Sequence, residues 1–96
     1  MMQFDWDDRK NRENQKKHGV WFEEAQTAFF DENALEFSDP DHSEAEDRFL
    51  LLGRSHQLRI LVVCHCFRER DGVIRIISAR KATRKERTYY VRRGKP

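Results

Sequence analysis

Residues 71–90, DGVIRIISARKATRKERTYY, decide the fold. Asp71-Gly72 is a strong hairpin signal, because both central residues of a tight two-residue turn take positive φ. The apolar, β-branched run that follows, residues 73–80, reads as a buried strand ending in cationic side chains. Residues 82–93 then have the composition of a strongly basic helix. Upstream lie two more strand-like runs, residues 47–54 and 58–67, joined by Ser55-His56-Gln57. Three such runs with short links predict an antiparallel three-strand meander. Residues 34–37 predict a short edge strand, residues 3–6 a short first strand, and Ser38-Asp39-Pro40-Asp41 a turn.

The N-terminal third is helical in pattern. Asp7 or Asp8 is placed to cap a helix through RKNRENQKKH, and Gly19 to stop it. That helix has almost no apolar face, so it must be solvated or held against something charged. Residues 21–30 differ: Trp21, Phe22, Ala25, Ala28 and Phe29 recur at spacings of three and four, which predicts an amphipathic helix. Trp6, Trp21, Phe22 and Phe29 are expected in the core. Ninety-six residues suit one domain, 1–96, with one core. The expected class is α+β: a small antiparallel sheet, two N-terminal helices and a basic C-terminal helix.

Charge is unevenly spread. Nine of the 19 Lys and Arg residues fall within residues 75–95, against the single acid Glu86, whereas residues 31–47 hold eight acids and no Lys or Arg. A net charge of +2 therefore hides a basic region suited to a polyanion and an acidic region suited to solubility or to a basic partner. The longest apolar run, residues 60–64, is far short of the roughly 20 residues that cross a bilayer. The N-terminus lacks the pattern of a signal peptide, so a cytoplasmic chain is expected. Cys64 and Cys66 share one face of a strand, too splayed for a disulfide and without the partners of a zinc site, so buried thiols are expected.

Strand register refines the picture. If His56-Gln57 closes the first hairpin tightly, Arg48 faces His65, Leu50 faces Val63 and Leu52 faces Leu61. If Asp71-Gly72 closes the second, His65 faces Ser78, and Arg80 shares their face. Arg48, His65, Ser78 and Arg80 would then meet at one end of the meander. A slip of one residue moves the set to the other face.

Three ordered segments, FDWDDRKNRENQKKHGVWFEEAQTAF, EDRFLLLGRS and IRIISARKATRKERTYY, resemble the BrnT family of bacterial type II toxins. The resemblance falls on Trp6, Asp7, Lys10, Asn14, Lys17, His18 and Gly19, on Glu46, Asp47 and Arg48, and on Arg75, Ser78, Arg80, Glu86 and Tyr90. Trp21 stands where a small or polar residue is more usual. The resemblance implies a fold like that of the RelE and ParE toxins and cleavage of RNA. It also implies a BrnA-type antitoxin as partner, with operator DNA bound only through that antitoxin.

Metal-independent RNA cleavage needs a base at the 2′-hydroxyl, cations on the phosphate and an acid for the leaving 5′-oxygen. Arg80 and Arg75 are the candidate phosphate clamps, and His18 or His65 the candidate base or acid. Lys81, Arg84, Arg68 and Arg48 would extend the basic surface, and Tyr90 or Tyr89 would stack on a base. No cofactor, metal or membrane is expected. Each residue also has a plainer reading. Arg80 pairs with Glu86, Arg75 with an acid on the sheet face, Arg48 with Glu46 or the first helix; His18 complements a helix C-terminus; Tyr90 packs. A nucleic-acid binder without chemistry, and a ParE-like toxin acting on a protein, are the competing functions.

Overall fold

The computed structural model describes residues 2–39, 47–68 and 72–93. Pro40, Asp41, His42, Glu46 and Asp71 lie outside these residues, and with them part of the expected turn at residues 38–41, part of the acidic stretch and the Glu46–Arg48 pair. In chain order the elements are β1 (Phe4–Asp5), α1 (Asp8–His18) and α2 (Phe22–Ala25), which runs into a 3₁₀ segment (Gln26–Phe30). There follow β2 (Leu35–Ser38), β3 (Phe49–Arg54), β4 (Ile60–Phe67), β5 (Ile74–Lys81) and α3 (Arg84–Arg93). The strands form a five-stranded sheet in the order β1-β5-β4-β3-β2. β2 to β5 run antiparallel to their neighbours, but β1 pairs parallel to β5, Phe4 beside Ile74 and Asp5 beside Arg75. The sheet is thus mixed, not antiparallel as expected: after β1 the chain runs through the N-terminal helices to the far edge, adds β2, β3 and β4 in turn, and brings β5 back beside β1 in the same direction.

Each face of the sheet has its own packing. Leu51, Leu61, Val63, Ile76 and Ala79 meet Val20, Phe22, Ala25 and Ala28 from the N-terminal helices, with Phe4, Trp6, Phe29 and Ala34 around them. On the opposite face, Leu52 and Val62 meet Ala82, just before α3, and Tyr90 within it. Gly53 is required where β3 passes the 3₁₀ segment: a Cβ there would lie 2.9 Å from the Ala28 carbonyl oxygen. Trp21 does not join the core; it is 47% exposed, between the fully buried Val20 and Phe22.

α1 forms as its caps dictate. The Asp7 carboxylate accepts from the backbone N–H of Arg9 and Lys10, at 2.8 and 3.1 Å. Gly19, at φ 71°, takes the left-handed position that ends the helix. Its buried residues are two amides, Asn11 and Asn14. Asn11 Oδ1 accepts from Phe22 N (2.7 Å) and thereby starts α2. Asn14 Nδ2 donates to the carbonyls of Val20 and Ala79, each at 2.8 Å, while its Oδ1 accepts from Ala79 N at 3.0 Å. The side chain thus meets the edge of β5 as a neighbouring strand would. The helix is held neither by apolar contacts nor by charge, but by amides.

The register differs from expectation by one residue. Leu50 lies opposite Cys64 and Leu52 opposite Val62. The β3–β4 link is not a two-residue turn: Ser55 N donates to Arg59 O, Leu58 N to Ser55 O, and Leu58 takes φ 64°. Arg54 and Ile60 are the last pair. Across β5, Cys64 faces Ser78 and Val62 faces Arg80, while His65 faces Ile76. Ile77 is the extra residue of a bulge. His65 consequently leaves the face that carries Ser78 and Arg80, and Cys64 takes its place.

Asn14 predicts its own test. Replacing it with alanine leaves both polar groups of Ala79 and the Val20 carbonyl without these partners, each costing about 1–3 kcal/mol if left buried and unpaired. Asn14→Ala should lower the urea midpoint of unfolding by an amount equivalent to at least about 2 kcal/mol. A midpoint within error of the parent protein would show that α1 is docked by something else.

Candidate active site

An open cleft of about 230 Å³ runs between α1 and the edge of β5, lined by Lys10, Glu13, Asn14, Lys17, His18, Ile77 and Ser78. Its construction follows from helix geometry. Lys10, Glu13, Asn14 and Lys17 stand at i, i+3, i+4 and i+7, so they share one stripe of α1. Asn14, in the middle of that stripe, is bonded to Ala79 and draws it over β5. β1 covers β5 only at Ile74 and Arg75, so the edge beyond is left to the helix. The bulge at Ile77 brings Ile77 and Ser78 together into the lining.

The turn that carries His18 is tied down from behind. The Arg59 guanidinium donates to the Gly19 carbonyl at 3.1 Å and also grips Glu24 through Nε (2.9 Å) and Nη2. Ser55 donates to the same carboxylate at 2.6 Å. Burial alone would raise the Glu24 pKa, but the Arg59 and Ser55 hydrogen bonds and the Arg59 charge outweigh it and hold the carboxyl below its ordinary value.

Arg75 and Arg80 lie on the sheet face turned away from the N-terminal helices, in register with Cys66 and Val62, and Ser78, in register with Cys64, stands between them at the edge of β5, where it lines the cleft. The structure places both arginines in ion pairs. Arg75 Nη1 lies 3.1 Å from Asp5 Oδ1, and Arg68 Nη1 lies 2.5 Å from Asp5 Oδ2. Arg80 makes a two-pronged pair with Glu86, at 2.8 and 2.9 Å. Glu86 has a second task. Its carboxylate accepts from Thr83 N at 2.8 Å while Thr83 Oγ1 accepts from Glu86 N at 3.1 Å, the reciprocal box that starts α3. The Arg80 hydrogen bonds push the Glu86 pKa down to about 2 against the effect of burial, with help from Thr83 and the Arg80 charge. The Arg80 side chain remains 41% exposed.

The other expected site residues are dispersed. His65 is fully buried among Phe29, Phe49 and Phe67, with ring centroids 4.8, 6.0 and 5.5 Å away. Its Nδ1 contacts the Val63 carbonyl at 3.0 Å, and burial lowers its pKa. Its Nε2 lacks a hydrogen-bond partner among the described residues and lies 3.6 Å from Glu36 Oε1. It does not line the cleft. Tyr90 is buried, and its hydroxyl donates to Asp31 Oδ2 at 2.5 Å. Burial, then that carboxylate, raise the Tyr90 pKa to about 12. Tyr89 is exposed and carries the Arg93 guanidinium 5.7 Å from its ring centroid. Lys81 and Arg84 are exposed, while Arg48 lies close enough for its charge to act on the Cys64 thiol. Cys64 and Cys66 are buried and not joined in a disulfide, and burial together with the Asp39 carboxylate lifts the Cys64 pKa to about 11.

Sequence reasoning passed over Glu13 and gave Lys10 and Lys17 no part in the chemistry, although the family resemblance falls on both. The signal was present: a helix without an apolar face must turn some stripe to the protein, and the spacing around Asn14 names it. No group of three His, Cys, Asp or Glu side chains among the described residues is arranged to hold a metal. No helix among them is long and apolar enough to cross a membrane.

Residues 6–86 match a family described as "Ribonuclease toxin, BrnT, of type II toxin-antitoxin system". Among solved structures, the chain is similar to the ribonuclease toxin BrnT of Brucella abortus, determined at 1.1 Å. The two share 24% identity with a TM-score of 0.64, over 88% of this chain and 100% of that one. At that identity the likeness carries the fold, an α+β arrangement with a mixed sheet and three helices. No curated protein is matched by sequence.

The doubly used Glu86 gives a pH prediction. Its folded pKa lies below the ordinary 4.5, so its contribution to stability is complete above that value and is lost as pH falls from about 4.5 to about 2. The stability difference between the parent protein and Glu86→Gln should therefore be constant near neutrality and shrink across that window in urea titrations. A difference that persists unchanged to pH 2 would contradict the assignment.

Proposed function

The chain belongs to the BrnT family of ribonuclease toxins of type II toxin–antitoxin systems, and on that premise we propose that it is a metal-independent endoribonuclease whose active site is the cleft between α1 and β5. One observation carries the reading. The N-terminal segment and the C-terminal strand, some 60 residues apart in sequence, meet in one open cleft that offers an imidazole, two ammonium groups, a carboxylate and a hydroxyl.

The chemistry needs no more than these. The 2′-oxygen attacks the adjacent phosphorus as His18 takes the 2′-hydroxyl proton. The bond from phosphorus to the 5′-oxygen breaks, and that oxygen leaves with a proton from one of the two cleft ammonium groups, Lys10 or Lys17, leaving a 2′,3′-cyclic phosphate and a 5′-hydroxyl. Lys10 and Lys17 bear on the phosphate oxygens as charge builds there, and Ser78 donates to one of them. Glu13, one turn from Lys10 and Lys17, orients their ammonium groups. Arg75 and Arg80 flank Ser78 on the adjoining face and, with Lys81, Arg84, Arg68 and Arg48, attract the flanking RNA backbone. The proposal leaves out His65 and Tyr90, which are buried and engaged elsewhere.

An antitoxin and an RNA target come with the family. We assign the antitoxin to the BrnA type, with operator DNA reached only through it. A binder without chemistry is the second reading, and the neutralisation of Arg75 by Asp5 and of Arg80 by Glu86 favours it.

Purified protein incubated with RNA in EDTA should cut it, and His18→Ala should slow the cut by about 10²–10⁴-fold, the usual worth of one acid–base group. Cleavage that appears only when a divalent ion is restored would remove the metal-independent mechanism. An undiminished rate for His18→Ala would remove the cleft, and RNA bound but never cut would favour the second reading.

A further inference from the structure

Three residues beyond His18, Trp21 stands in the open, and the surroundings give it work. The chain from residue 18 to residue 21 spans at most about 10 Å, so anything seated at Trp21 is adjacent to the cleft. A lone exposed apolar side chain is ordinary. Here, however, the indole forms one wall of a second pocket of about 470 Å³, whose other lining residues, Glu23, Glu24, His56 and Gln57, are polar. That volume falls within the roughly 300–1,000 Å³ of small-ligand sites.

The lining is partly fixed and partly free. The Glu24 carboxylate is spent on Ser55 and Arg59. His56 is held by Thr27 Oγ1, which accepts from its backbone N–H at 2.9 Å and contacts Nδ1 at 3.2 Å. Glu23 is positioned by Asn11, whose Nδ2 donates to Oε1 at 2.9 Å, and this leaves Oε2 to accept from a ligand. The side-chain amide of Gln57 adds a donor and an acceptor. A flat aromatic wall beside a carboxylate acceptor, a carboxamide and an imidazole is what an unpaired nucleobase requires: a surface for its π-face and partners for its edge.

We propose that Trp21 and Glu23 form a base-binding subsite for single-stranded RNA, in which the base stacks on the indole and presents N–H donors to the carboxylate. Guanine, with adjacent N1–H and N2–H₂ donors, fits best; uracil offers one. The proposal rests on the nuclease reading, since the cleft at His18 supplies the neighbouring phosphate with its cations. The negative charge of Glu23 faces the base, while the backbone lies toward Lys17.

The test uses 2′-O-methyl hexauridylate and the same oligonucleotide with one central guanosine, neither of which offers a 2′-hydroxyl at the subsite for cleavage. In the Trp6→Phe protein, Trp21 is the sole indole. Its emission should be quenched saturably, at lower concentration by the guanosine-containing strand. By anisotropy of the labelled strand, Trp21→Ala should weaken that binding by about 5- to 150-fold, the worth of one stacked base. Glu23→Gln should keep the quenching but bring the two strands within about twofold of each other. Unaltered indole emission at saturating RNA, or equal affinity of Trp21→Ala and parent, overturns the subsite and leaves the indole as a protein contact. Cleavage in EDTA is scored separately. A protein that cuts RNA without involving Trp21 loses the subsite alone; one that binds guanosine at Trp21 and never cuts loses only the nuclease reading.

Discussion

One carboxamide organises this molecule. Asn14 supplies both partners that the edge of β5 lacks at Ala79, and with the same nitrogen reaches the Val20 carbonyl beyond the helix end. A helix as polar as α1 gains little from apolar burial, so its place depends on satisfying buried backbone groups that would otherwise be orphaned. Those bonds are directional. They fix the rotation of α1 about its axis, and hence which side chains stand one turn above and below: Lys10 and Lys17. The same residue that closes the sheet edge therefore sets the walls of the cleft. Stability and the geometry of the cleft meet at one position.

Around that contact the charges are sorted by depth. Arg59 and Glu24, partly buried, fasten the β3–β4 turn to the end of α1. Arg80 and Glu86 fasten the start of α3 to the end of β5. Such pairs hold elements in register, and exposed ones contribute little to net stability. The guanidinium groups most conspicuous in the sequence thus serve as joints between elements. The ammonium and imidazole groups of α1, by contrast, line an open cleft. A basic chain can carry much of its charge in structural roles and still leave a cationic cleft.

Much of this was legible in the residues. Asp7 and Gly19 bracket α1 because capping and the left-handed terminus are local chemistry, written within two or three residues of where they act. The strand-forming runs were plain from β-branched composition. What escaped was set by distant partners. The β3–β4 register depends on whether the turn holds two residues or five, and Ser55 to Arg59 closes the longer one with Leu58 at positive φ, a conformation that its side chain does not advertise. A second step, the β4–β5 register with Ile77 bulged out, pairs Cys64 rather than His65 with Ser78 and leaves His65 on the face of the aromatic box. The parallel pairing of β1 is likewise a product of topology. Trp21 misled because periodicity counts it with Phe22 and Ala25, although it precedes the helix and points away from the core. The family resemblance named Lys10, Asn14, Lys17 and His18 together, but only the pairing of Asn14 with Ala79 places the four beside Ser78.

The location of the site is the claim on which the functional account turns. Backbone and histidine side-chain NMR shifts, followed while a non-cleavable RNA oligonucleotide is added, test it directly. The account predicts the largest changes at Lys10, Lys17, His18, Ile77 and Ser78, with the His65 ring undisturbed. Changes confined to the α3 face of the sheet, with the His18 imidazole silent, would contradict it.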